Sequence, residues 1–253
     1  MTECLDTVRA LREQMRQWNL PDPLRHYDLY GLKSTIVACA LNLTCLDCGF
    51  RSAYEVSCVT KELENPTIAF YEQLAHALHF TSSRSRWEDT EGGYQECYIV
   101  IAKSPDDLST YTRGHTEWRR DKTQSRRTLG ALYGYPSCCI RMYVEGKTSY
   151  AQFLRDIHGC PDCEAIGFTS HLNGLIPCSL DCPQALELGQ RQAQLLQETW
   201  PDLLPIEQRV ARMVNEADYE LACRGAHFPR VNERVTHAWD ELLHKYRSVF
   251  ANL

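Results

Sequence analysis

Residues 129–146 read LGALYGYPSCCIRMYVEG, and residues 171–183 read HLNGLIPCSLDCP, with HGCPDC at 158–163 between them. Six of the thirteen cysteines fall in this region, as the pairs Cys138–Cys139, Cys160–Cys163 and Cys178–Cys182. Two of the pairs stand where local chemistry starts a helix. Gly134-Tyr135-Pro136-Ser137 is a turn whose Pro and Ser suit a helix start, and Gly146 suits its end. Asp181-Cys182-Pro183 reads as an N-cap with Pro at or near the first helical position. A cysteine there faces unpaired amides and the positive end of the helix dipole, and both favour thiolate. Thiolate is the form that binds soft metals.

Adjacent side chains diverge, so Cys138–Cys139 is an awkward pair for one tetrahedral ion, whereas a polynuclear cluster offers each thiolate its own iron. Three readings follow. Cys138, Cys139, Cys178 and Cys182 hold an iron–sulfur cluster, 4Fe-4S being the expected type. Alternatively, the C-x-x-C pairs Cys45–Cys48 and Cys160–Cys163 form a structural zinc site. In the third reading the cysteines are a metal-free thiol relay. Ligand type ranks the readings in that order.

The sequence resembles an archaeal and bacterial family of unknown function with L-G-x-L-x-G-Y-P-x-C-C followed by P-C-S-x-x-C. The matching positions are Leu129, Gly130, Leu132, Gly134, Tyr135, Pro136, Cys138 and Cys139, then Pro177, Cys178, Ser179 and Cys182. The resemblance covers about residues 122–190. It implies that the four cysteines act as one unit and implies no activity.

Outward from this region, 253 residues with 43 % hydrophobic content can bury one large core, or a core and a small appendage. No apolar run has the length of a membrane span. The N-terminus lacks the apolar segment of a signal peptide, which leads to the expectation of a cytoplasmic protein. Its cysteines are then expected as ligands, reactive thiols or core residues rather than disulfides.

Residues 2–19 read as an amphipathic helix, with Leu5, Val8, Leu11 and Met15 on one stripe. STIVACALNL (34–43) reads as a buried strand leading into Cys45–Cys48. Pro66 opens a helix with Ile68, Tyr71, Leu74 and Leu78 inward. Residues 81–95 read as a polar loop, residues 97–102 as a second strand, and Ser104-Pro105-Asp106-Asp107 as a strong helix start. Helices follow to Trp200, over 205–223 and over 230–250. The expected fold class is α/β, with α+β the other option: a small mixed sheet with flanking helices, a Cys-rich metal-binding region and a helical C-terminal part. The segments are an N-terminal helix (1–24), a core (25–128), the Cys-rich region (129–200) and C-terminal helices (201–253).

One basic island, RGHTEWRRDKTQSRR (113–127), interrupts a chain of net charge −6. Its bland reading is a solvated helix face. Its functional reading is an anion site built from Arg119, Arg120, Lys122, Arg126 and Arg127. Tyr135, His115 and His171 are candidate proton movers, although none lies in a catalytic motif. Together these residues give the expectation of an iron–sulfur enzyme acting on an anionic small molecule. The alternative is a zinc-stapled accessory protein that binds a partner of a modification pathway. The acidic balance argues against nucleic acid, no membrane partner is expected, and a homodimer through the C-terminal helices is an open option.

Overall fold

A computed structural model describes residues 8–13, 36–60, 66–88, 95–160, 163–228, 230–238 and 242. The chain divides into two compact units, Met1–Gln14 with Asn42–Gly134 and Met15–Leu41 with Tyr135–Leu253.

The first unit is built on three strands, β1 (Ala53–Thr60), β2 (Thr81–Glu88) and β3 (Gln95–Ala102), in the order β1-β3-β2. Both pairings are antiparallel, with Ala53 and Thr81 each opposite Ala102. The fold is therefore mixed in class, and the sheet is antiparallel where a mixed sheet was expected. Successive β3 side chains face opposite ways, and Ile99, Val100, Ile101 and Ala102 are all buried. Val100 and Ala102 pack with Ala53, Tyr111 and Leu132. Tyr111 belongs to α3 (Pro105–Glu117) and Leu132 to α4 (Lys122–Leu132). Ser104 caps α3 by accepting from the Asp107 amide, and Asp121 caps α4 through the Gln124 amide, so both starts follow local code. Helix α2 (Pro66–Ala77) buries Tyr71 and Leu74, with Leu78 just beyond its end, as its stripe requires. In the helical segment 8–13, Val8 and Leu11 are buried. Leu5 and Met15 lie outside the described residues.

Two expectations are corrected here. STIVACALNL is not a strand: residues Ile36–Asp47 form helix α1. Every residue from Cys39 to Leu46 is buried, so no polar face marks a helical period, and a short apolar run then resembles a buried strand. Its Ala and Leu content and its length of 12 residues favour the helix. Residues 81–88 are an edge strand, not a loop. Edge strands carry charge to deter pairing with other chains, and Arg84 of β2 pairs with Glu72 of α2.

The second unit is helical among its described residues after Tyr135: α5 (Ser137–Val144), α6 (Tyr150–Ile157), α7 (Glu164–Asn173), α8 (Pro183–Thr199) and α9 (Leu204–Arg224). Helix α7 packs on both α8 and α9, and α9 packs on α6. The α7–α9 contact holds a buried polar pair, with His171 Nε2 3.2 Å from Glu207 Oε1. Beside it, Asn215 donates to the Gly167 carbonyl. Both α7 and α9 end at a left-handed glycine, Gly174 and Gly225. Further helical backbone covers 230–238, within the expected last helix. No described helix is long and apolar enough to cross a membrane.

Gly134 closes the first unit at φ +75°, and a Cβ there would collide with the Phe50 carbonyl oxygen. Gly134→Ala is expected to destabilise the protein by at least about 2 kcal/mol in urea unfolding. An unchanged midpoint would show that this turn adapts without cost.

Candidate metal centre

Tyr135-Pro136 delivers the chain into α5, whose N-cap is Pro136 and whose second and third residues are Cys138 and Cys139. No side chain caps this helix, so its first amides are left to whatever lies beyond its start. Forty residues on, Gly174 turns the chain out of α7 at φ +68°, with Tyr135 Oη 3.3 Å from where a glycine Cβ would stand. Leu175 and Pro177 are buried in the following segment, which carries Cys178. Cys182 then stands at the N-cap of α8, with Pro183 as its first residue. The cap is the cysteine itself.

These turns bring four sulfurs together. The Sγ atoms of Cys138, Cys139, Cys178 and Cys182 all lie within 4.8 Å of one another. The Cys138–Cys139 separation is 3.9 Å, Cys138–Cys182 is 3.6 Å and Cys139–Cys182 is 3.8 Å. Adjacent cysteines therefore do converge here, against the expectation that they diverge. At the first turn of a helix both side chains can turn toward the space in front of its N-terminus.

Cys139 and Cys182 are buried, while Cys138 and Cys178 are partly exposed. Ile166, Leu175 and Ala185 pack around the buried pair, with Tyr135, Leu180 and Leu186 outside them. Burial drives the Cys139 thiol far above its ordinary pKa, against the pull of the Cys178 amide, which donates to its sulfur at 3.4 Å. Burial, then the hydrogen bond to Cys182, pushes Cys178 up to about 11. At Cys182 burial also opposes the charged form. The Ala185 amide and the three neighbouring thiols outweigh it, and the net direction is down. A cation bound among the four sulfurs favours their thiolate forms.

Four cysteine sulfurs at these distances can hold a metal ion. With metal–sulfur bonds of about 2.3 Å, a regular tetrahedron has edges of about 3.8 Å. The three separations above match that edge.

Residues 115–211 match the model of a family described as a protein of unknown function (DUF483). This region is a DUF483 domain. It runs from α3 into α9 and contains all four converging cysteines. Its description names no activity or metal. No curated protein and no solved structure matches the chain.

The other candidate residues fall elsewhere. Cys160 and Cys163 form a disulfide across a Cα separation of 5.5 Å, not a metal knuckle. Cys48 is also disulfide-bonded, whereas Cys45 is a free, fully buried thiol raised to about 11 by burial, with Arg51 pulling it down. The two do not form a C-x-x-C knuckle, and the expectation of no disulfides fails at both positions. Spacing alone cannot separate a knuckle from a disulfide, because Cα atoms at this distance suit either.

In the DUF483 region, Tyr135 packs on the apolar shell of the cysteines. The His171 and Glu207 side chains are 1 % and 0 % exposed, which marks a packing pair. His115 belongs to the first unit, 3.5 Å from Glu55, with its ring tilted by 38° against that of Tyr111. Glu55 also accepts from Tyr111 and Tyr133. Glu55 carries no sequence signal, since one acid in a strand has no motif. Arg119, Arg120, Lys122 and Arg127 are exposed and Arg126 is half-buried, all in the first unit. Lys122 and Arg126 lie over the ring of Trp118 at 5.7 and 5.4 Å, a cation–π arrangement.

Because His171 and Glu207 are sealed in the α7–α9 contact, Glu207→Leu is expected to cost about 2–4 kcal/mol in urea unfolding. Metal content should not change. A loss of bound metal with little loss of stability would instead tie this pair to the centre.

Proposed function

We propose that the DUF483 region is a metal-stapled domain in which Cys138, Cys139, Cys178 and Cys182 hold one zinc ion as thiolates. The match between the separations among Cys138, Cys139 and Cys182 and the edge of a single-ion tetrahedron carries this reading, with Cys178 Sγ within 4.8 Å of all three. A cubane places irons and sulfides between its ligand sulfurs, which then stand well beyond such an edge. The sulfur geometry therefore favours the single-ion reading over the 4Fe-4S cluster expected from the adjacent cysteines. Four protein thiolates close the coordination sphere, whereas catalytic zinc keeps a position for water or substrate. The role is structural: the ion ties the start of α5 to the start of α8, which are separated by more than forty residues of chain.

The donor set suits the ion. Soft sulfur ligands select zinc or iron over magnesium or calcium. The Cys178 and Ala185 amides supply the N–H contacts that thiolate sulfur needs. Gln184 reaches Cys138 Sγ at 3.2 Å through its side-chain oxygen. Rotating its amide would turn an N–H to a bound thiolate.

The test is anaerobic purification with metal and sulfide analysis and an absorption spectrum of the same sample. The expected result is a colourless protein with about one zinc per chain. Cys139→Ser or Cys182→Ser should remove the zinc and lower stability by several kcal/mol, since metal-binding energy is folding energy here. A brown protein with inorganic sulfide would overturn the zinc reading, and full zinc retention by both variants would overturn the assigned ligands.

A further inference from the structure

The Cys160–Cys163 disulfide is not among the four converging cysteines, although Cys163 packs on the apolar cluster that encloses them. The disulfide borders an open cavity of ≈ 490 Å³ between α6, α7 and α9, whose lining includes both cysteines, His158, Gln208, Arg212 and Tyr219. The His158 ring stacks on Tyr219 at 3.8 Å between centroids, with 12° between planes. The wall beside the disulfide is thus fixed. The two sulfurs are not equivalent. Cys163 is the N-cap of α7 and packs against the apolar cluster around Ile166. Cys160 lies outside that cluster and lines the cavity.

We propose that Cys160 and Cys163 form a thiol–disulfide exchange site, with the cavity seating a small thiol of amino-acid to short-peptide size. The substrate thiol loses its proton to solvent, and its thiolate attacks Cys160 Sγ. The Cys160–Cys163 bond breaks as the mixed disulfide forms. Cys163 leaves as a thiolate at the N-terminal end of α7, where unpaired amides and the helix dipole favour that form, and then takes a proton from solvent. A second substrate thiolate attacks the substrate-derived sulfur and releases Cys160, which is protonated in turn. In total, two thiols become one disulfide, and the protein pair gains two electrons and two protons. A substrate disulfide runs the same steps in reverse and restores the pair. The cavity supplies what an inert structural disulfide lacks, which is a seat for a substrate thiol beside the bond.

The test uses the full chain carrying Cys163→Ser, which removes the resolving thiol, with oxidised glutathione as the probe and intact-mass and peptide analysis as the readout. Cys160 should gain one glutathionyl group at least about tenfold faster in the folded protein than in urea. In Cys160→Ser, Cys163 should not react at that rate. Adding Gln208→Trp to the Cys163→Ser chain fills the cavity and should slow the Cys160 adduct several-fold. Equal rates folded and unfolded, or no effect of Gln208→Trp, would overturn the proposal. So would a metal ion on Cys160 and Cys163 in the wild-type protein as purified.

Discussion

Four sulfurs packed within 4.8 Å of one another cannot all carry charge unaided. Two unit charges about 4 Å apart repel by roughly 4 kcal/mol at the effective dielectric of a protein, and the three pairs among Cys138, Cys139 and Cys182 are that close. Burial raises the Cys139 and Cys178 thiols and repulsion from their neighbours adds to the rise, while the Ala185 amide and the neighbouring thiols lower Cys182. A divalent cation reverses the balance, turning mutual repulsion into shared attraction. The architecture around the cluster reads as a means of bringing the sulfurs to that distance. Two helices start without a side-chain cap hydrogen bond, α8 with Cys182 at its N-cap position, and a glycine turns the chain out of α7.

The surrounding packing is consistent with a staple. Ile166, Leu175 and Ala185 enclose the buried thiols and keep water from them, which strengthens metal–thiolate attraction once an ion is bound. The His171–Glu207 pair and the Asn215–Gly167 bond fix α7 on α9 by polar contacts distinct from the cysteines. The helices thus have two kinds of attachment, and metal removal should loosen the starts of α5 and α8 before the α7–α9 contact.

Much of this could be read from the residues. The cysteines at helix starts, the Ser104 cap and the stripe of α2 all rest on local chemistry, and the chain obeys it. What escaped was set by tertiary context. Helix α1 hides its period because it is buried over eight consecutive residues. Strand β2 hides its identity because an edge strand is polar. Adjacent cysteines were judged unfit for one ion from the divergence of neighbouring side chains, which holds in an extended chain and fails at the first turn of a helix. The C-x-x-C at 160–163 serves a knuckle or a disulfide equally well on spacing. Glu55 became visible only when β1 and α3 placed it beside Tyr111, Tyr133 and His115.

The central claim is that one ion sits among four thiolates. X-ray absorption at the metal edge of the purified protein reads the ligand shell directly. A zinc edge with a single shell of four sulfurs at about 2.3 Å and no metal–metal scattering is the predicted result. An iron edge with a metal–metal shell would contradict the claim and establish a polynuclear cluster in its place.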